Sequence, residues 1–112
     1  MNVYDVVNDL TKAIKGSHEF KALQEAHAKL KQDADAEKLA QDFLKQKQEL
    51  EIAQYTGKTP SKEENEKVQK LYEVLALNPV AMDYLQAYIR FQMMVGDISK
   101  SIGDVVKEAV EG

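Results

Sequence analysis

The chain predicts an all-α fold: a five-helix bundle with a long C-terminal helix, oligomerising through its N- and C-terminal helices. Three observations lead there. Apolar residues recur at three- and four-residue spacing along nearly the whole length, which is the period of one helix face. No segment shows the two-residue alternation of a strand. Clusters of Gly, Pro, Asn, Asp and Ser cut the periodic pattern into five segments. At 112 residues and 44% hydrophobic, the sequence reads as a single helical domain, 1–112, with helices at approximately 3–15, 18–32, 34–56, 62–77 and 79–111.

In the first segment Val3, Val6, Val7, Leu10, Ala13 and Ile14 share one face. Gly16 ends it, and Ser17 is placed to cap the next helix. That second helix sets Phe20, Leu23, His27 and Leu30 on one side. Asp33 or Asp35 caps a long third helix carrying Leu39, Phe43, Leu50 and Ala53, closed by Gly57 and the turn residues GKTP. Ser61 followed by Glu64 fits the capping box, in which each side chain satisfies the other residue's free amide. The fourth helix offers Val68, Leu71, Tyr72 and Leu75 to the core. Asn78-Pro79 is a stop and a restart together, with Asn as cap and Pro at the first helical position.

From Pro79 to about Glu111 only Gly96 and Gly103 interrupt the last helix, a rod of roughly 50 Å at 1.5 Å per residue. Single glycines cost about 1 kcal/mol each against Ala, too little to break a packed helix. Spaced seven apart, they sit on one flank and would admit a close-crossing helix. Ala81, Tyr84, Tyr88, Phe91, Val95, Ile98, Ile102, Val105 and Ala109 follow alternating gaps of three and four, a heptad stripe. Met82, Leu85, Ile89 and Met93 add a second stripe that ends at Met93. Residues 80–95 are therefore expected to be enclosed by several helices. Beyond Gly96 the narrow seam remains, with Val106 beside it.

Two facing stripes, from the first helix and the last, make a hairpin that is marginal alone in water. Doubling it by two-fold symmetry buries both. The expected subunit interface is Val95, Ile98, Ile102, Val105, Val106 and Ala109, in a homo-oligomer with a dimer as first choice.

Composition excludes several functions. The 15 basic and 19 acidic residues give a net charge of −4, and Arg90 is the one arginine, so the basic stripe of a nucleic-acid binder is absent and no direct nucleic-acid binding is expected. There is no cysteine, which removes disulfides, thiolate nucleophiles and Cys-ligated metal centres. MNVYDVVNDL lacks the form of a signal peptide, and no stretch reaches the ~18–20 apolar residues of a membrane span. The cytoplasm, with no membrane partner, is the expected location.

Candidate chemical sites are sparse. His18 and His27 are nine apart, half a turn out of phase on one helix, and His27 reads as a packed core histidine. Asp5 and Asp9 are spaced to pair, but no third ligand accompanies them. Glu63, Glu64 and Glu66 read as first-turn residues favoured by the helix dipole. Arg90 shares a polar side with Asp83, Asp97 and Asp104. Met82, Met93 and Met94 read as core packing, with an adaptable binding surface as the other reading. No phosphate loop, nucleophile elbow or HExxH is present. No cofactor or metal is expected.

The opening MNVYDVVNDLTKAI, then SHEFKAL, then a Lys/Gln-rich helix, and a last helix entered through NP and running YLQAYIRFQMMVGDISKSI, together resemble the YlbF/YmcA-like family of small bacterial all-helical proteins. The likeness is closest to its uncharacterised YheA-like branch. It implies an all-α bundle that forms homo-oligomers. For better-known branches it implies regulatory adaptors of competence, biofilm formation, sporulation and RNA turnover, in a hetero-complex whose cysteines hold iron–sulfur clusters. Without cysteine, that cofactor does not carry over. The leading expectation is a non-enzymatic interaction protein, a regulatory adaptor with a protein partner in a regulatory complex. The alternative is a small-molecule-binding or enzymatic protein with a site between subunits, using Tyr84, Tyr88 and His27.

Overall fold

The computed structural model describes residues 1–111 and is all-helical, in the order α1 (Val3–Lys15), α2 (His18–Lys31), α3 (Ala34–Tyr55), α4 (Lys62–Ala76) and α5 (Pro79–Glu111). Each boundary is set by local chemistry. The Asn2 side chain accepts from the Tyr4 amide at 2.8 Å and caps α1. Ser17 Oγ accepts from the Phe20 amide at 3.2 Å, and Asp33, rather than Asp35, caps α3 by accepting from Ala36 at 3.0 Å. Both halves of the Ser61–Glu64 capping box are formed. Asn78 accepts from the Ala81 amide at 3.0 Å, and it alone separates α4's cap, Leu77, from Pro79 at the start of α5.

The α3 end needs a glycine. Gly57 adopts φ 85°, a left-handed conformation that L side chains rarely take. It lets Lys58 donate to the Ala53 carbonyl at 2.9 Å and Gly57 to that of Gln54 at 3.0 Å, the paired bonds of a Schellman stop.

The chain divides into two compact units. One is Ala26–Leu85. There α3 packs on α4, and Leu30, Ala36, Ala40, Phe43, Leu75, Ala81 and Leu85 form the buried cluster. Leu75 is 0% exposed and Leu85 1%. Three of the seven core residues are alanines, whose small side chains let helix backbones approach closely. Phe43 meets Tyr72 with ring centroids 5.8 Å apart and tilted by 52°, a favoured aromatic arrangement.

The α2 face differs from expectation by one position. Ala26 enters the core and His27 is exposed, because Leu23, Ala26 and Leu30 keep the i, i+3, i+7 spacing without it. The His27 ring lies 6.1 Å from the Tyr84 ring, tilted by 46°.

The other unit gathers Met1–Glu25 with the chain from Gln86 onward. Phe20 of α2 and Phe91 of α5 meet here at 6.0 Å, and Ala87 is buried. The expected enclosure of residues 80–95 stops short in this unit. Ile89 and Met93 are 39% and 64% exposed. At about 100° per residue they lie some 140–180° round the helix from Ile102, so the second stripe is on the side of α5 away from the seam.

Candidate interaction face

The unit formed by α1, the first part of α2 and the later part of α5 leaves much of its apolar surface in solvent. On α1, Val3, Val6 and Val7 are exposed, while Leu10 and Ile14 on the same face are half-buried. Its charged residues Asp5, Asp9, Lys12 and Lys15 occupy the opposite side, so α1 has one apolar face and half of it is bare. On α5, Ile102, Val105, Val106 and Val110 are exposed, Val105 at 63% and Val110 at 75%.

Of the six residues the seam singled out, Ile102, Val105, Val106 and Ala109 are exposed and Val95 and Ile98 are half-buried. The six seam residues leave out Val110, which falls beside them, while the α1 valines belong to the first-helix stripe that VYDVVNDL already sets against the last helix.

The end of α5 is sharply divided by charge. With Ile102 as the reference direction and about 100° per residue, Val95, Ile98, Ile102, Val105, Val106, Ala109 and Val110 fall within roughly 140°. Asp97, Lys100, Asp104, Lys107, Glu108 and Glu111 fall within roughly 100° on the far side. Gly96, Ser101 and Gly103 lie between, and Ser99 falls inside the apolar arc beside Val106 and Val110. A Cβ built on either glycine would meet nothing within 4 Å, so no helix of the chain crosses closely there.

His27 and Tyr84 are brought together, while Tyr88 is half-buried in the second unit. Asp5 and Asp9 are exposed on α1. Glu64 serves the capping box, and Glu66 pairs with Lys62 at 3.9 Å. Among the described residues no three His, Asp or Glu side chains are placed to hold a metal ion, and no helix is long and apolar enough to cross a membrane.

An all-helical chain with open apolar stripes at both ends belongs, by form, with small interaction proteins. Residues 3–107 match the family model described as control of competence regulator ComK, YlbF/YmcA, and the chain belongs to that family. Similar curated proteins include a UPF0342 protein of Caldicellulosiruptor bescii, 34% identical over 95% of this chain and 89% of that one. Another is UPF0342 protein STH1710 of Symbiobacterium thermophilum, 36% identical over 93% of each. Among solved structures, Bacillus subtilis RicA, crystallised in complex with RicF, aligns with TM-score 0.58 and 25% identity over 96% of both chains.

Proposed function

We propose that this chain is a non-enzymatic regulatory adaptor, and that the apolar face of α1 and α5 is the surface through which it self-associates and meets its protein partners. The observation that carries this reading is the exposure of Val3, Val6, Val7, Ile102, Val105, Val106 and Val110 within one unit. Exposed apolar side chains gathered on a monomer mark an interaction site. The family's description and the RicA–RicF complex support a role in protein assembly and regulation.

A two-fold pairing suits the face because it brings each stripe against its own copy and closes the assembly. Hydrogen–deuterium exchange tests it. Peptides from 99–110 and 3–10 should gain at least tenfold protection as the protein is concentrated from nanomolar to tens of micromolar. Peptides from 36–43 should not change. Exchange in 99–110 that is independent of concentration would remove the self-association reading.

A further inference from the structure

The unit Ala26–Leu85 seals its core but leaves one flank of α4 open. Glu63, Lys67, Lys70, Val74 and Leu77 follow gaps of four, three, four and three, the spacing of a seam between helices. At about 100° per residue they fall within roughly 80°, and Leu71 borders them on the side nearer the buried Leu75. Val74 is 52% exposed and Leu77 85%, while Leu71 is half-buried. A groove runs along this flank, and every residue lining it, from Glu63 to Val74, belongs to α4. Sites for small molecules enclose most of their ligand, which a groove with a single wall cannot do. What fits it is an elongated segment that brings the second wall itself, as a helix does.

Charge decides which helix. Glu66 is engaged by Lys62 at 3.9 Å, and Glu73 accepts from the Gln69 amide at 3.4 Å. Glu63 lies in the first turn, where the helix dipole favours it. Lys67 and Lys70, in the middle of the stripe, make no ion pair among the described residues, although each follows a glutamate by four positions. The stripe therefore presents two unanswered positive charges beside an apolar end made by Leu71, Val74 and Leu77.

We propose that this flank of α4 docks an amphipathic helix of a partner protein whose apolar stripe is edged by Asp or Glu. The partner's apolar side chains cover Leu71, Val74 and Leu77, and its carboxylates pair with Lys67 and Lys70. The flank shares no residue with the face of α1 and α5, so this docking does not depend on self-association.

Two synthetic helices of about 18 residues probe it, alike in leucines at heptad spacing but edged by glutamate in one and by lysine in the other. Binding is followed by amide chemical shifts of the isotope-labelled full chain. The glutamate peptide should shift residues 67–77 and bind at least about fivefold more tightly than the lysine peptide at low salt, the order of gain from two exposed ion pairs. Raising NaCl to about 1 M should remove most of that preference. The double variant Lys67→Glu with Lys70→Glu changes two exposed side chains, and with helicity unchanged by circular dichroism it should reverse the preference. Val74→Ser should weaken the glutamate peptide at least about threefold through loss of apolar contact. Equal affinity of the two peptides, a preference that charge reversal leaves in place, or no binding at millimolar peptide would each overturn the proposal. So would a Val74→Ser chain that binds as wild type, or shifts confined to α1 and residues 99–110. Shifts of residues 67–77 on concentrating the chain alone would make a second copy the occupant and overturn it equally.

Discussion

The two units of this chain solve the same problem differently. Ala26–Leu85 buries its apolar residues within itself: Leu75 and Leu85 are sealed, and small residues at 36, 40 and 81 let the helices close on them. The unit containing α1 and the end of α5 has similar apolar content, but among its described residues only Ala87 is buried, and valines are bare on both helices. What separates them is the number of helices available. In the first, α3 and α4 pack as a pair and α2 and α5 add the remaining faces of the core. In the second, a 13-residue α1 and part of α2 accompany a stretch of α5 with an apolar arc of roughly 140°, wider than one neighbouring helix covers. A chain can be stable in one region and complete only in company in another.

The sharpest way to break this contrast is at the sealed core. Leu75→Ala removes a fully buried side chain and should lower unfolding stability by ~2–5 kcal/mol, measured by urea denaturation, with association affected only through loss of folded protein. Ile102→Asp puts a charge mid-seam. It should weaken self-association by at least ~100-fold, since burying an unpaired charge costs several kcal/mol and a two-fold contact meets it twice. Far-UV helicity of the variant should stay close to wild type apart from fraying at the end of α5.

Ile89→Asp sharpens the contrast within α5. The second apolar stripe implies an enclosed position for Ile89, where a charge would damage the fold. At 39% exposed and about 140° round the helix from Ile102, Ile89→Asp should cost only about 1–2 kcal/mol and leave association intact. The smallest effect belongs to Gly103→Ala. The new Cβ meets nothing, so thermal melting should show a gain of about 0.5–1 kcal/mol. Weaker association in this variant would mean that a partner helix approaches closely at that glycine.

Helix ends were legible because they are decided within four residues. Ser61 and Glu64, or Asn78 and Pro79, carry their own partners and need no tertiary contact. Buried faces were less legible. Ala36 and Ala40 form the wall of the core, yet an alanine on a helix reads the same inside or out, and only packing distinguishes them. The same limit placed His27 in the core where Ala26 stands, one residue apart on a face that tolerates either. At Ile89 and Met93 hydrophobicity suggested burial, but two further helices would be needed to supply it. The seam was legible as a stripe because its period holds over several turns. Its width, taking in Val110, emerged only once exposure was known.

The central claim is that the α1 and α5 face is incomplete in one chain and completed by another. Sedimentation equilibrium on wild type and Ile102→Asp at the same concentrations tests it directly. The wild type should sediment at twice the 12.6 kDa chain mass or more at micromolar concentration, and the variant, still helical, at the single-chain mass. A wild-type monomer, or a variant that remains associated, would contradict it.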